Sequence, residues 1–319
     1  MLPRIPECYG GKLLAMARSA NPQLPTRWAV ICLLLCLGLQ GRPGFAADGS
    51  PSVLRPPPAD VQRQTLLATV ARMDRGNAAG GDVYFVGFAG YGEQKIFRKE
   101  AELAQRIFGA RFATANRSLL LVNDIRDRQT YALATFENLR VALNAIGRRM
   151  HADRDTLVLM LTSHGNDEDG IAITNGKMPE DALSPEDLAK ILNESHIRWR
   201  VIVVSACYSG IFIPVLKNDS TLIMTAADAR HSSFGCDDTR DLTYFGEALL
   251  KDTLPHACSL NQAYTDTARI IRQREADEGD IHSNPRLFVG PAMQARLPQL
   301  DAAAAHSCTA QPSQPPARH

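Results

Sequence analysis

Asp155-Thr-Leu-Val-Leu-Met-Leu-Thr-Ser-His-Gly165 is the stretch whose reading decides the fold. Five consecutive apolar residues, Leu157 to Leu161, end in a polar turn that carries His164. A half-exposed antiparallel strand alternates polar with apolar; an unbroken apolar run of this length marks a strand covered on both faces. Arg200-Val-Ile-Val-Val-Ser-Ala-Cys-Tyr-Ser-Gly210 repeats the design and ends in Cys207. Val83-Tyr-Phe-Val-Gly-Phe88, Leu119-Leu-Leu-Val122 and Thr221-Leu-Ile-Met-Thr225 complete a set of five such runs. Helical spacing fills the gaps: Phe97, Ala101, Ala104, Phe108; then Phe136, Leu139, Leu143, Ile146, Met150; then Leu260, Ala263, Tyr264, Thr267, Ile271. Ser184-Pro185-Glu186-Asp187 has the N-cap, first-turn proline and first-turn acids of a helix start. Strand alternating with helix predicts an α/β fold: a mostly parallel sheet flanked by helices on both faces. Ligands of such sheets bind beyond the carboxyl ends of the strands, where connections diverge. Attention therefore falls on Phe88-Ala-Gly-Tyr-Gly92, Thr162-Ser-His-Gly165 and Ser205-Ala-Cys-Tyr-Ser-Gly210.

The rest of the chain bounds this core. Residues 28–39 form an apolar run of twelve, preceded by Arg18 and Arg27 and followed by Gly44-Phe45-Ala46-Ala47. A membrane-crossing helix needs about twenty apolar residues. The short run with its basic flank and small-residue exit reads as a secretory signal peptide over residues 1–47. The protein is thus expected to be exported, periplasmic or secreted, with no stable membrane span after signal removal; the alternative is that the same run stays as an uncleaved membrane anchor. Residues 48–59 read as a Pro-rich linker, 60–297 as one folded domain, and 298–319 as a disordered tail. Thirty-five Lys and Arg stand against 34 Asp and Glu. Five of the basic residues and one acid lie in residues 1–47, so the remainder carries 30 against 33. A nucleic-acid partner is not expected, since such binders carry a basic excess. Seven cysteines are too few for a disulfide scaffold; Cys236, Cys258 and Cys308 are candidates for one bridge whose pairing the sequence leaves open.

His164 and Cys207 stand 43 positions apart, yet parallel strands deliver both to the same sheet edge. A cysteine attacks as its thiolate, and a neighbouring imidazole takes the proton or stabilises the charge. Gly165 lets a backbone N–H approach a ligand without a side chain in the way, as an oxyanion donor must.

Thr162-Ser-His-Gly165 together with Ser205-Ala-Cys-Tyr-Ser-Gly210 resembles the active-site pair of the legumain-like cysteine peptidases, the asparaginyl endopeptidases and the GPI-anchor transamidase subunit. His231-Ser-Ser-Phe-Gly-Cys-Asp-Asp238, Thr243-Tyr-Phe-Gly-Glu247 and Phe97-Arg-Lys99 resemble that family's pocket segments, in family order over roughly residues 82 to 256. The resemblance implies a caspase-like three-layer sandwich in a bacterial-type exported member. It implies a cysteine endopeptidase acting on peptides or proteins, with no cofactor and no metal. Cys207 is the implied nucleophile and His164 its proton carrier. The backbone N–H groups of Gly165 and Cys207 are the implied oxyanion donors. Arg98, Ser232, Ser233 and Glu247 are the implied substrate pocket, its mixed charge suited to the carboxamide or carboxyl of Asn or Asp. Three positions depart from the family. Ile96 stands where an asparagine helps orient the histidine, Ser205 where an acid precedes Ala-Cys, and Tyr208 where legumain has an acid. The family's inhibitory C-terminal domain has no counterpart in the residues that follow.

Other signals fall away on spacing. Asn166-Asp-Glu-Asp-Gly170 places glycines at calcium-ligand positions and reads as an acidic turn. Gly87, Gly90 and Gly92 do not make the dinucleotide fingerprint. His231 and Cys236 lack a second pair of zinc ligands. No C-x-x-C occurs, and Ser209-Gly210 lacks the upstream glycine of a serine-hydrolase elbow. The rivals to hydrolysis are a transpeptidase or ligase using the same acyl-enzyme, and a catalytically silent binding module on the same fold.

Overall fold

The computed structural model describes residues 56–75, 81–127, 129–176, 181–237 and 239–302. The signal-peptide reading of residues 1–47 lies outside the described residues. All five apolar runs are strands: β1 (Val83–Ala89), β2 (Ser118–Val122), β3 (Thr156–Thr162), and, after three short strands, β7 (Trp199–Ser205) and β8 (Thr221–Thr225). They pair in parallel in the order β2-β1-β3-β7-β8, and β9 (Arg286–Val289) closes the edge antiparallel to β8. The short strands β4 (Gly165–Asn166), β5 (Gly170–Ile173) and β6 (Asp181–Leu183) form a separate antiparallel sheet. Asp167 to Asp169 make the turn between β4 and β5, where Asn166 Oδ1 accepts from the N–H groups of Glu168 and Asp169.

Alternate residues of the parallel strands feed two cores, which is why their sequences are apolar throughout. Tyr84, Val86, Phe88, Leu157, Leu159, Leu161, Ile202 and Val204 pack into one core. It is covered by α1 (Ala59–Arg72), α3 (Phe136–Gly147), α4 (Pro185–Glu194) and α5 (Phe212–Leu216). Phe85, Val158, Met160, Val201, Val203 and Met224 face the other way. There they meet α2 (Lys95–Phe112), α6 (Tyr244–Gly246) with the π-helical turn Glu247–Thr253, α7 (Leu260–Glu278) and α8 (Pro291–Ala302). The result is a three-layer α/β sandwich, the architecture expected of the sequence. Ser184 caps α4 through Asp187 N, at the position its motif indicated.

The folded part extends past the expected boundary at 297. Helix α8 continues to Ala302 because Leu300 is buried and Asp301 Oδ1 accepts from Leu260 N–H and pairs with Arg111. The supposed tail therefore begins no earlier than residue 303, outside the described residues.

Sheet order also locates the crevice. The chain leaves β1 for β2 on one side, and leaves β3 for β7 on the other. The switch point falls between the carboxyl ends of β1 and β3, where Gly90 follows one strand and His164 the other.

Candidate active site

Strand register brings the two motifs together. Thr162 of β3 pairs with Ser205 of β7, and Ser163 N–H donates to Ser205 O at 3.3 Å. His164 and Cys207 each follow their register partner by two residues, so they leave the sheet side by side. The main chains stay close beyond the strands: a methyl on Gly165 would lie 2.5 Å from Cys207 O and 3.2 Å from Ala206 Cβ. Glycine is required here by contact between the two motifs. Behind His164, Ala172 N–H donates to His164 O at 2.9 Å and Ser163 Oγ donates to Ala172 O at 2.6 Å. The small sheet thus clamps the histidine segment onto the end of β3.

The turn after Cys207 is held as firmly. Tyr208 is left-handed, φ 54°, and its N–H donates to His231 O at 3.0 Å. Such a backbone is costly for a residue with a Cβ and marks a sharp turn fixed by its surroundings. Ser209 Oγ accepts from Ala227 N–H at 3.0 Å, and Gly210 packs on the backbone of Asp228 and Ala229. Ser209 and Gly210 therefore tie the Cys207 turn to the end of β8.

His164 and Cys207 are both buried, and Cys207 is the free cysteine among the described residues. His164 Nε2 lies 2.7 Å from Gln94 Oε1, while the rings of Tyr91 and Phe97 meet the imidazole edge-on at 4.5 and 5.0 Å. An amide oxygen only accepts, so Nε2 carries the hydrogen and Nδ1 holds the basic lone pair. Cys207 Sγ donates to Ser233 O at 3.4 Å and lies 3.6 Å from Ser233 Oγ, a hydroxyl able to donate to a thiolate. Ser233 is therefore against the Cys207 thiol, with Ser232 beside it in the chain. Asp228 anchors this segment: its Oδ1 bonds His231 Nδ1 at 2.7 Å, and its Oδ2 accepts from Asn284 and pairs with Arg286.

Arg98 and Glu247, the two charged members of the expected pocket, have separate partners. Arg98 donates from Nε to Glu102 at 2.8 Å, and from Nη1 to Asp127 and Asp124 at 3.0 and 3.3 Å, with Tyr131 beneath its guanidinium. Partial burial works to lower its pKa, but Glu102, Asp127 and Asp124 outweigh burial and raise it. Glu247 accepts from Arg240 at 2.7 Å, Arg274 at 3.0 Å and Lys251 at 3.4 Å. Burial works to raise its pKa, and these three cations hold it below the ordinary carboxyl value. The structure does not join the two in one ion pair.

Cys236 and Cys258 are both disulfide-bonded. Among the described residues no cluster of three or more His, Cys, Asp or Glu is placed to hold a metal ion, and no helix is long and apolar enough to cross a membrane. Gln94 is the site residue that sequence reasoning did not find. Its signal was position alone: the last residue before a helix that follows a glycine-bearing strand-end loop.

A free cysteine and a tautomer-fixed histidine at adjacent parallel strand ends have the make-up of a cysteine hydrolase site. Residues 140–295 match the model of the Peptidase C13 family, the legumain family, and this match supports a cysteine peptidase. The matched stretch contains His164, Cys207, Ser232, Ser233 and Glu247, while Gln94 and Arg98 precede it. Among solved structures the chain is similar to caspase-1 from Spodoptera frugiperda, at 13% identity and a TM-score of 0.48, with 68% of this chain and 92% of that chain covered. No curated protein matches it.

Proposed function

We propose that the protein is an exported endopeptidase that cuts after a polar residue through a Cys207 thioester. Nδ1 of His164 takes the thiol proton, and Sγ attacks the scissile carbonyl carbon. The tetrahedral oxyanion is met by the backbone N–H groups of Gly165 and Cys207. Collapse expels the amine, which leaves with the proton from the imidazolium. Water, deprotonated by His164, then adds to the thioester, releasing the acid and restoring the thiol. Ser232 and Ser233 line the pocket for the residue before the cut, with Arg98 and Glu247 as its charged walls once substrate exchanges with part of their ion pairs. Disulfide linkage at Cys236 and Cys258 supports an oxidising compartment and hence export.

The observation that supports this reading is the close approach of Gly165 to Cys207 O across the ends of β3 and β7, which brings together the main chains that carry His164 and Cys207. An activity-based probe bearing Asn or Asp at the position before the cut tests it. Wild type is expected to label covalently, and Cys207→Ala is not; labelling that persists in the alanine variant removes Cys207 as nucleophile.

A further inference from the structure

Behind the two strand ends lies a carboxyl that peptide cleavage as derived above does not use. Glu100 of α2 is wholly buried. Its Oε2 accepts from Thr243 N–H at 3.1 Å and from Thr243 Oγ1 at 2.8 Å. Thr243 is also the cap of α6, accepting from Gly246 N–H at 2.8 Å, and its Oγ1 lies 3.2 Å from Ser205 Oγ. The Ser205 and Thr162 hydroxyls both lie against the carboxyl. Gly246 has no room for a side chain because Glu100 fills that space. Thr162 and Ser205 are register partners, each two residues before His164 or Cys207. One carboxyl therefore touches α2, the α6 cap and the last residues of both strands that carry the chemistry.

We propose that Glu100 is a positioning residue that works as the neutral carboxylic acid, joining α2 and the α6 cap to the ends of β3 and β7 so that His164 and Cys207 stay in register. This inference rests on the Cys207–His164 reading above. The groups facing the carboxyl are Thr162 from β3, Ser205 from β7, and the hydroxyl and N–H of Thr243 from the α6 cap, all uncharged. On its own helix, Arg98 is engaged by Glu102, Asp124 and Asp127, and Lys99 by Asp241. A carboxylate here would be a buried charge with hydroxyls and one N–H to solvate it. Burial is the strongest influence on Glu100 and raises its pKa, outweighing the nearby Ser205, Thr243 and Thr162 groups, which lower it. Glu100 Oε1 and Thr162 Oγ1 are also both buried without a hydrogen-bond partner. Ionisation would place negative charge on a buried Oε1 that no donor meets.

The sign of the pH effect follows. With the folded pKa above the unfolded value, the folded state keeps a proton that the unfolded chain has released. The stabilisation from Glu100 is complete below the ordinary carboxyl value of 4.5 and declines as pH rises towards the raised folded value. Glu100→Gln keeps the shape and the uncharged state but cannot ionise.

The test measures kcat and KM against pH for wild type, Glu100→Gln and Glu100→Ala, with infrared difference spectra of wild type against Glu100→Gln. Glu100→Gln is expected within about twofold of wild-type kcat at neutral pH, without the alkaline decline due to Glu100, whereas Glu100→Ala loses about tenfold or more in kcat at little-changed KM. The infrared spectrum is expected to show a protonated-carboxyl band at neutral pH that Glu100→Gln lacks. Absence of that band overturns the proposal, as does equal impairment of the two variants or an alkaline decline unchanged in Glu100→Gln. If wild type cleaves no peptide, the peptidase reading fails separately. The rate of Cys207 alkylation then replaces kcat, with the same ordering of variants expected.

Discussion

Gln94 meets the histidine from a different place in the chain than the family resemblance indicates. Ile96, at the position of the family's orienting asparagine, is wholly buried in the core under the sheet and cannot touch the histidine as a polar group. Gln94, two residues earlier and just outside α2, reaches His164 Nε2. An amide orients the ring without adding charge, leaving the proton affinity of Nδ1 to its other surroundings. Two substitutions separate these roles. Gln94→Leu leaves a buried N–H unsatisfied and frees the ring; a fall in kcat of about tenfold or more is expected with KM little changed. Gln94→Glu keeps an acceptor and adds a negative charge beside the imidazole, so proton loss from the Cys207–His164 pair becomes harder. Both limbs of the kcat/KM profile are then expected to move to higher pH. Limbs that stay in place would show that Gln94 does not act on the histidine.

At the scale of elements, helix α2 is the shared support: Gln94 precedes it, Phe97 packs on His164, and Glu100 reaches both strand ends. The strands themselves were legible because burial on both faces leaves unbroken apolar runs, and the two motifs were legible because each closes such a run. Strand β9 was not, since Arg286–Val289 is a four-residue edge strand with partly exposed side chains. Strands β4 and β5 are too short for periodicity and hide in an acidic turn. Glu100 was illegible for another reason. In sequence it continues Arg98-Lys99 as a charged helix face, and only the packing of α2 against Thr243 makes it a core residue. Gln94 depends likewise on the path of the loop between β1 and α2. Close contact of β4 with the Cys207 turn can be tested directly. Gly165→Ala inserts a methyl 2.5 Å from Cys207 O, so the two strand ends must part. Overpacking of this kind costs about 1–3 kcal/mol, and a larger proportional loss is expected in kcat than in stability. A variant with wild-type kcat would show that the strand ends tolerate separation.

For the molecule as a whole, the cysteines fall into opposite redox roles. As the proposed nucleophile Cys207 must stay reduced, and its burial against Ser233 shields it from chance oxidation. Cys236 and Cys258 are oxidised. Cys236 belongs to the segment that leaves Ser233 and leads to Thr243, the residue holding Glu100; Cys258 precedes the start of α7. Disulfide linkage at these positions therefore restrains the loop that supplies both the neighbour of Cys207 and the partner of the buried acid. Restraint acts mainly by reducing the freedom of the unfolded chain, and losing a native disulfide typically costs about 2–4 kcal/mol. Cys236→Ser with Cys258→Ser is expected to lower Tm by roughly 4–16 °C for a domain of this size. In the double variant Tm should no longer respond to strong reductant, whereas wild-type Tm should fall when reductant is added. Activity is expected to be highest under mild reduction, where Cys207 is a thiol and the disulfide linkages persist. Thermal unfolding and peptide cleavage across a graded series of thiol–disulfide buffers measure both limits. A wild-type Tm indifferent to reductant would show that the linkages do not restrain the fold.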